Sequence, residues 1–293
     1  MTSNSHCIHK SLLVSGSRTL IVKVGSYLRK SDGIIVQRYR CGHCQKTFSD
    51  ASFSDCFGQK MRHMNSITLQ LLVGGFSQRR TALVLGLNRK TVIRKFRLLG
   101  AQAVQILPQM NSFYAKAKII EFDDLESFEH SKCKPLSVTL VVEHGSRRIM
   151  GFRVSQMPAK GHLASIAFKR YGHRKDLRKP SRIALLKELK DFLEPDALIK
   201  SDQNPHYPPD IRAHFPKAFH QTFKGRRGCV VGQGELKRGG FDPLFSLNHT
   251  CAMLRANINR LFRRTWCTTK IPKYLTYHIA LYAIYHNMVL LKA

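Results

Sequence analysis

Acidic side chains are scarce in this sequence: 18 Asp and Glu stand against 49 Lys and Arg in 293 residues, a formal charge of +31. Between residues 57 and 110 there is no acid at all, against nine cations. So little compensation excludes a cationic ligand as the main partner and calls for a polyanionic one. Nucleic acid fits best, since neutralised phosphates release counterions and give strong, salt-sensitive binding. Long apolar runs are also missing. None is long enough to span a bilayer, and the first residues lack the basic, apolar, small-residue order of a signal peptide, so no membrane partner is expected. Cysteine is sparse for a secreted disulfide scaffold, with eight residues scattered from Cys7 to Cys267, so a reducing cytoplasm is the expected location. There is a single tryptophan, Trp266, and a lone Trp belongs more often to a core than to a stacking site.

What is present divides into three regions. An apolar fraction of 43% is ordinary for a globular chain, and the length suffices for two or three cores. Residues 1–56 read as short strands, Leu20 to Val24 and Ile34 to Tyr39, joined by a turn at Ser31-Asp32-Gly33 and leading into Cys41-Gly42-His43-Cys44. Two thiolates three positions apart in a β-turn can face one tetrahedral ion, so this Cys-x-x-Cys points to structural Zn²⁺. The rest of the site is expected from Cys7 with His9 or His6, while Lys10 stands where a second cysteine would complete the pattern and Cys56 is a further candidate.

Residues 57–110 read as a helix-turn-helix. A first helix around Ile67, Leu71 and Leu72 ends at Gly74-Gly75, a second runs from Ser77 to Leu85, and a third opens on Asn88 as N-cap after the turn at Gly86. The pattern assigns Leu83, Val84, Leu87, Val92, Ile93 and Phe96 to holding the pair together. It leaves Arg89, Lys90, Thr91, Arg94 and Lys95 for DNA.

Residues 111–293 hold 15 of the 18 acids, so any chemistry done by carboxylates belongs there. The pattern predicts a strand over Lys118 to Leu125, a hairpin over Leu136 to Val154 turning at His144-Gly145-Ser146, a basic loop over Lys169 to Arg182 and a helix from Ile183 to Phe192. A short strand into Asp202 and a helix from Pro243 past Arg260 follow. This is an α/β or α+β order. Asp123 and Asp202 fall where strands are predicted to end, and paired carboxylates at a sheet rim suit hard divalent cations such as Mg²⁺. Two such ions about 4 Å apart activate a water or 3′-hydroxyl for in-line attack on a phosphodiester.

With Tyr39 to Phe48, Asp123-Asp124, Ser201-Asp202 and Asn248-His249 through Arg255 and Arg260, the chain resembles bacterial insertion-sequence transposases of the DDE type over nearly its full length. The resemblance implies a multidomain α+β chain: a zinc ribbon over 1–56, a helix-turn-helix over 57–110 and a ribonuclease-H-like catalytic domain over 111–293. It further implies that double-stranded DNA, as transposon ends and target, is the substrate of a homo-oligomer, and that Asp123 and Asp202 are the first two metal ligands. Such families place Glu on the last helix seven residues before a basic residue; counting back from Arg255 reaches Asn248, with His249 and Glu235 as the other candidates for the third ligand. An amide in place of an acid gives weaker charge compensation, so a catalytically inactive, transposase-derived regulator is the alternative function. An RNA-binding ribbon protein is a further rival, but it leaves the Arg89–Leu99 helix without a role. The basic loop from Lys169 and the run Arg260, Arg263, Arg264 with Trp266 would suit scissile DNA, although charge runs are usually solvated faces.

Overall fold

The computed structural model describes residues 21–224, 242–262 and 265–291; Cys7, His9, Glu235, Arg263 and Arg264 lie outside them. The chain divides into two compact units, Met1–Ile67 and Thr68–Ala293. Both sheets and the helices between them make a mixed α/β protein, compatible with the α+β class. Among the described residues no helix is long and apolar enough to cross a membrane.

The first unit carries an antiparallel sheet of β1 (Ile21–Arg29), β2 (Ile34–Cys41) and β3 (Thr47–Ser49) in that order. Asp32 holds the first hairpin by accepting from Arg29 Nε at 2.7 Å. Cys41 closes β2, and the chain then turns so tightly that Gln45 N donates to Cys41 O at 2.8 Å, with Gln45 itself left-handed at φ 57°. This Cys-x-x-Cys segment is therefore a knuckle between two strands, as its sequence suggests, and Cys41 is buried against Phe48 with Tyr39 and Cys44 alongside.

After α1 (Met64–Val73), the first of the expected helices, α2 (Gln78–Val84) and α3 (Arg89–Met110) are the helix pair of the second unit. Ser77 caps α2 by accepting from Arg80 N at 3.2 Å, and Asn88 caps α3 by accepting from Lys90 N at 2.9 Å, as expected of these residue types. The end of α2 is a Schellman turn: Leu87 N reaches Ala82 O at 2.9 Å, which requires the left-handed φ of 61° at Gly86. Two expectations fail here. Leu83 and Val84 are exposed, because α2 buries Thr81 and Ala82 instead. Lys95 is only 2% exposed, since Lys95 and Phe96 follow Val92 by three and four positions and so fall with it on the stripe that α3 packs inward. Arg89, Lys90, Arg94 and Arg97 remain exposed, and Thr91 is half-buried. Further along, α3 lies against α8 (Pro272–Tyr285) so closely that a Cβ on Gly100 would stand 2.5 Å from Tyr277 Cβ.

The larger sheet runs β6-β5-β4-β7-β8, with β4 (Ala117–Phe128), β5 (Pro135–Glu143) and β6 (Ile149–Gln156) antiparallel, and β7 (Leu193–Asp202) and β8 (Phe219–Phe223) parallel to β4. β5 is buried at seven successive positions because both faces are covered. Leu136, Val138, Leu140 and Val142 join a core with α3, α7 (Phe245–Asn257) and α8, whereas Val141 faces a second core with Leu185, Leu186 and Leu189 of α5 (Arg178–Leu189). The hairpin of β5 and β6 lies where the alternation places it. Of the basic loop expected over Lys169–Arg182 only residues 172–177 are loop; the rest belongs to the end of α4 (Leu163–Tyr171) and the start of α5. α7 stops at Asn257, because Ile258 is extended (φ −104°, ψ 107°), and Ile258 and Leu261 continue the core stripe beyond the helix. α6 (Tyr207–His214) follows β7.

Candidate active site

Alternation along β4 sends Ile120 and Phe122 to one core and Leu125 to the other, so Glu121 and Asp123 share the face of Leu125. Asp123 is seventh of twelve residues in β4 rather than at its end, as the sequence pattern suggests. The reason is that β4 continues against β5, whereas its parallel ladder with β7 ends at Phe122 opposite Ser201. One step further in that register sets Asp123 beside Asp202, the last residue of β7. The expected strand-end position therefore holds for Asp202 alone; Asp123 lies just past the last paired position of the parallel ladder, inside a strand that continues against β5.

Both carboxylates are held. Asp123 Oδ1 accepts from Tyr207 Oη at 3.1 Å and from the Asp124 amide at 2.6 Å; Asp202 Oδ1 accepts from Asn204 N at 3.0 Å. Thr139 Oγ1 donates to Asp124 Oδ1 at 2.5 Å. Tyr207 is fully buried, with its ring 4.6 Å from that of Phe122 and the Arg182 guanidinium 5.0 Å over its face. Arg182 is fixed in turn by Asp210, its Nε donating to Oδ2 at 2.9 Å. Burial and the three neighbouring aspartates raise the Tyr207 phenol far above its ordinary range, so it remains a donor. Sequence pattern alone gave Tyr207 no role; its place five residues after Asp202, at the start of α6, was the available signal.

Burial first, and then the charge of Asp202, push the Asp123 carboxyl up to about 6. Its folded pKa thus exceeds the ordinary value of 3.8. Stability linked to this group is complete below that ordinary value and lost as pH rises through about 6. At pH 7.5 the ionised carboxylate costs on the order of 2–3 kcal/mol in the cation-free protein. Asp123→Asn is expected to raise the melting temperature by about 5 °C at pH 7.5 without divalent cations, and by nearly nothing at pH 4. A melting scan at the two pH values checks this; a gain of equal size at both would rule out the charge as its cause.

The residues anticipated on α7 do not converge on the pair. Asn248 is exposed and its amide donates to Asp242 Oδ2 at 2.8 Å. His249 faces Arg147 in the β5–β6 turn, Nη1 to Nδ1 3.3 Å, and burial with that cation lowers its pKa. Among the described residues neither is hydrogen-bonded to Asp123 or Asp202. The α7 side chain that shares its electrostatics with Asp123 is Cys251: burial drives its thiol up to about 12, with Arg255 opposing and Asp123 adding to the rise. A buried carboxylate sets this register. Glu121, wholly inaccessible, accepts the Leu247 amide of α7 at 2.8 Å and is paired with His144 Nδ1. The Gly145 amide donates to Ser246 Oγ at 3.0 Å. One helical turn beyond Leu247 is Cys251, a rise of about 6 Å, and two residues beyond Glu121 is Asp123, about 6.6 Å along the strand.

Two held carboxylates side by side, one with a raised pKa, have the donor chemistry of a site for one hard divalent cation. Among the described residues no three His, Cys, Asp or Glu side chains converge closely enough to hold an ion by themselves. Trp266 is 73% exposed, outside the core. Arg260 is half-buried and donates to the carbonyls of Cys267 and Thr268 at 3.2 and 3.3 Å. No protein-family model and no curated protein matches the chain.

Proposed function

We propose that this protein is a DNA transposase of the DDE type, which recognises transposon-end DNA and carries out metal-dependent strand cleavage and transfer. The observation that supports this best is the placement of Asp123 and Asp202 on neighbouring parallel strands, where burial and mutual repulsion raise the Asp123 pKa to about 6. The order of the larger sheet, an antiparallel hairpin beside two parallel strands, is that expected of a ribonuclease-H-like domain. Asp123 and Asp202 would hold Mg²⁺, which when bound there neutralises charge on the phosphate and activates a water or 3′-hydroxyl. Tyr207 and the Asn204 amide fix one oxygen of each aspartate, and the second oxygens would be the ones offered to the ion. In the same reading Cys41 and Cys44 hold Zn²⁺ with Cys7 and His9, a homo-oligomer assembles on the DNA, and the location is the bacterial cytoplasm. The test is incubation of the full chain with supercoiled plasmid carrying the DNA that flanks its gene. Mg²⁺-dependent nicks with 3′-hydroxyl ends are expected; intact plasmid with Mg²⁺ and with Mn²⁺ refutes the catalytic reading.

Duplex recognition is assigned to α3. Arg94→Ala is expected to weaken duplex binding about five- to tenfold, reduce the salt slope by about 1 and leave the melting temperature unchanged. Lys95→Ala, at a buried position, should instead lower the melting temperature and leave the salt slope alone. Fluorescence anisotropy across a salt series separates them, and a reversed pattern removes α3 as the reading helix.

The second reading, a non-catalytic DNA-binding regulator descended from such an enzyme, is favoured by one observation: α7 contains no acidic residue along its whole length.

A further inference from the structure

We propose that α4 and its flanks form a docking surface for an unpaired DNA strand at the C-terminal end of β4, the strand that carries Asp123, an inference that rests on the transposase reading only for the use the strand is put to. Surface helices bury an apolar stripe, but in α4 only Ala167 is buried. Phe168 is 64% exposed and Ile166 43%, next to the exposed cations Lys169 and Arg170.

The charges of the segment sort into two groups. Between residues 158 and 182 there are eight Lys and Arg. Four are bound to acids: Lys160 to Glu126, Arg174 to Glu129, Arg178 to Asp176 and Arg182 to Asp210. Lys169, Arg170, Lys175 and Lys179 have no acidic partner among the described residues. The paired cations explain where the segment lies. Lys160 reaches Glu126 at 3.2 Å and Arg174 reaches Glu129 at 3.3 Å, which straps both flanks of α4 to the strand that carries Asp123 and to the residue just past its end. The four unpaired cations are not needed for that attachment, and they are what a phosphate backbone would neutralise.

Cations alone would suit a duplex equally well. The aromatic side chain separates the two, because Phe168 offers a π-face on which an unstacked base can lie, while a duplex hides its base faces within the stack. Successive residues of a helix stand about 100° apart, so Lys169 borders the face of Phe168 and Arg170 lies toward the opposite side; the two cations are offered to phosphates flanking the stacked base rather than to the base itself.

The test uses the full chain without added divalent cation and fluorescein-labelled 20-nucleotide DNA, single-stranded or as the blunt duplex of the same sequence. Phe168→Ala is expected to weaken single-strand binding about tenfold. Lys169→Ala with Arg170→Ala should weaken it further and lower the single-strand salt slope by about 1.4. The Phe168→Ala variant should bind the duplex within twofold of wild type and keep wild-type affinity for heparin, a polyanion without bases, and both variants should melt at the wild-type temperature. Single-strand affinity unchanged in Phe168→Ala, equal losses on single strand and duplex in that variant, or tighter binding of single-stranded RNA than of DNA would each overturn the proposal. A chain that cleaves no DNA yet shows the expected losses would refute the catalytic reading and leave this one standing.

Discussion

Replacing Asp202 with Ala is expected to reduce Mg²⁺-dependent strand cleavage by about 10³-fold or more while duplex affinity stays within twofold of wild type, and Asp123→Ala should behave alike. A factor of 10³ corresponds to about 4 kcal/mol of transition-state stabilisation, the scale on which a bound divalent cation acts at a phosphoryl centre. Asp202 ends β7 with Oδ1 held by the Asn204 amide, so its loss removes a ligand without opening the core. Asp123→Ala additionally frees the Tyr207 hydroxyl. The two variants should therefore share the loss of cleavage, and both should relieve the repulsion at neutral pH; Asp123→Ala also removes the buried charge itself but leaves the Tyr207 hydroxyl without its acceptor, which offsets part of that gain. Gel assays on end-bearing DNA, with anisotropy on the same oligonucleotides, decide the matter. Cleavage within tenfold of wild type in either variant would exclude the pair as the catalytic centre.

Local chemistry carried much of the architecture in the sequence, and long-range register carried little of it. Asn88 and Gly86 announce the cap and turn between α2 and α3 because capping and left-handed backbone depend on a few residues. The alternation over Leu136 to Val154 gives the hairpin for the same reason. Lys95 looks solvent-facing in the sequence because it is a basic side chain on a helix that packs on only one side, and that helix meets α8, which lies far along the chain, so nothing local announces the burial. Leu83 and Val84 were misread in the opposite sense: apolar residues near a helix end suggested packing, yet α2 buries the preceding Thr81 and Ala82. Of the candidate site, the two aspartates were legible as acids after apolar runs. Tyr207 was not, since nothing local says that a tyrosine in α6 donates to a carboxylate in β4.

The α7 position opposite the aspartates shows most plainly what local pattern cannot supply. Counting seven residues back from Arg255 selects Asn248, but Asn248 and Cys251 stand three residues apart, about 60° around the helix, and periodicity cannot choose between them. Glu121 holds the Leu247 amide, and one turn further along α7 Cys251 is the side chain whose thiol feels the charge of Asp123. Cys251→Glu is therefore expected to bring a third carboxylate to the pair and tighten Mg²⁺ or Mn²⁺ binding about 10- to 100-fold, the range over which charge count and ligand number tune such sites. Asn248→Glu, pointing to solvent beside Asp242, should change it less than threefold. Without cations the Cys251→Glu protein should melt lower than wild type at neutral pH, because three carboxylates then repel one another, and added Mn²⁺ should restore the loss. Calorimetric titration of both variants with Mn²⁺, followed by melting scans, reads this out even if the chain cuts no DNA. A gain in Asn248→Glu that exceeds the gain in Cys251→Glu would show that α7 sits in a different register from the one Glu121 imposes.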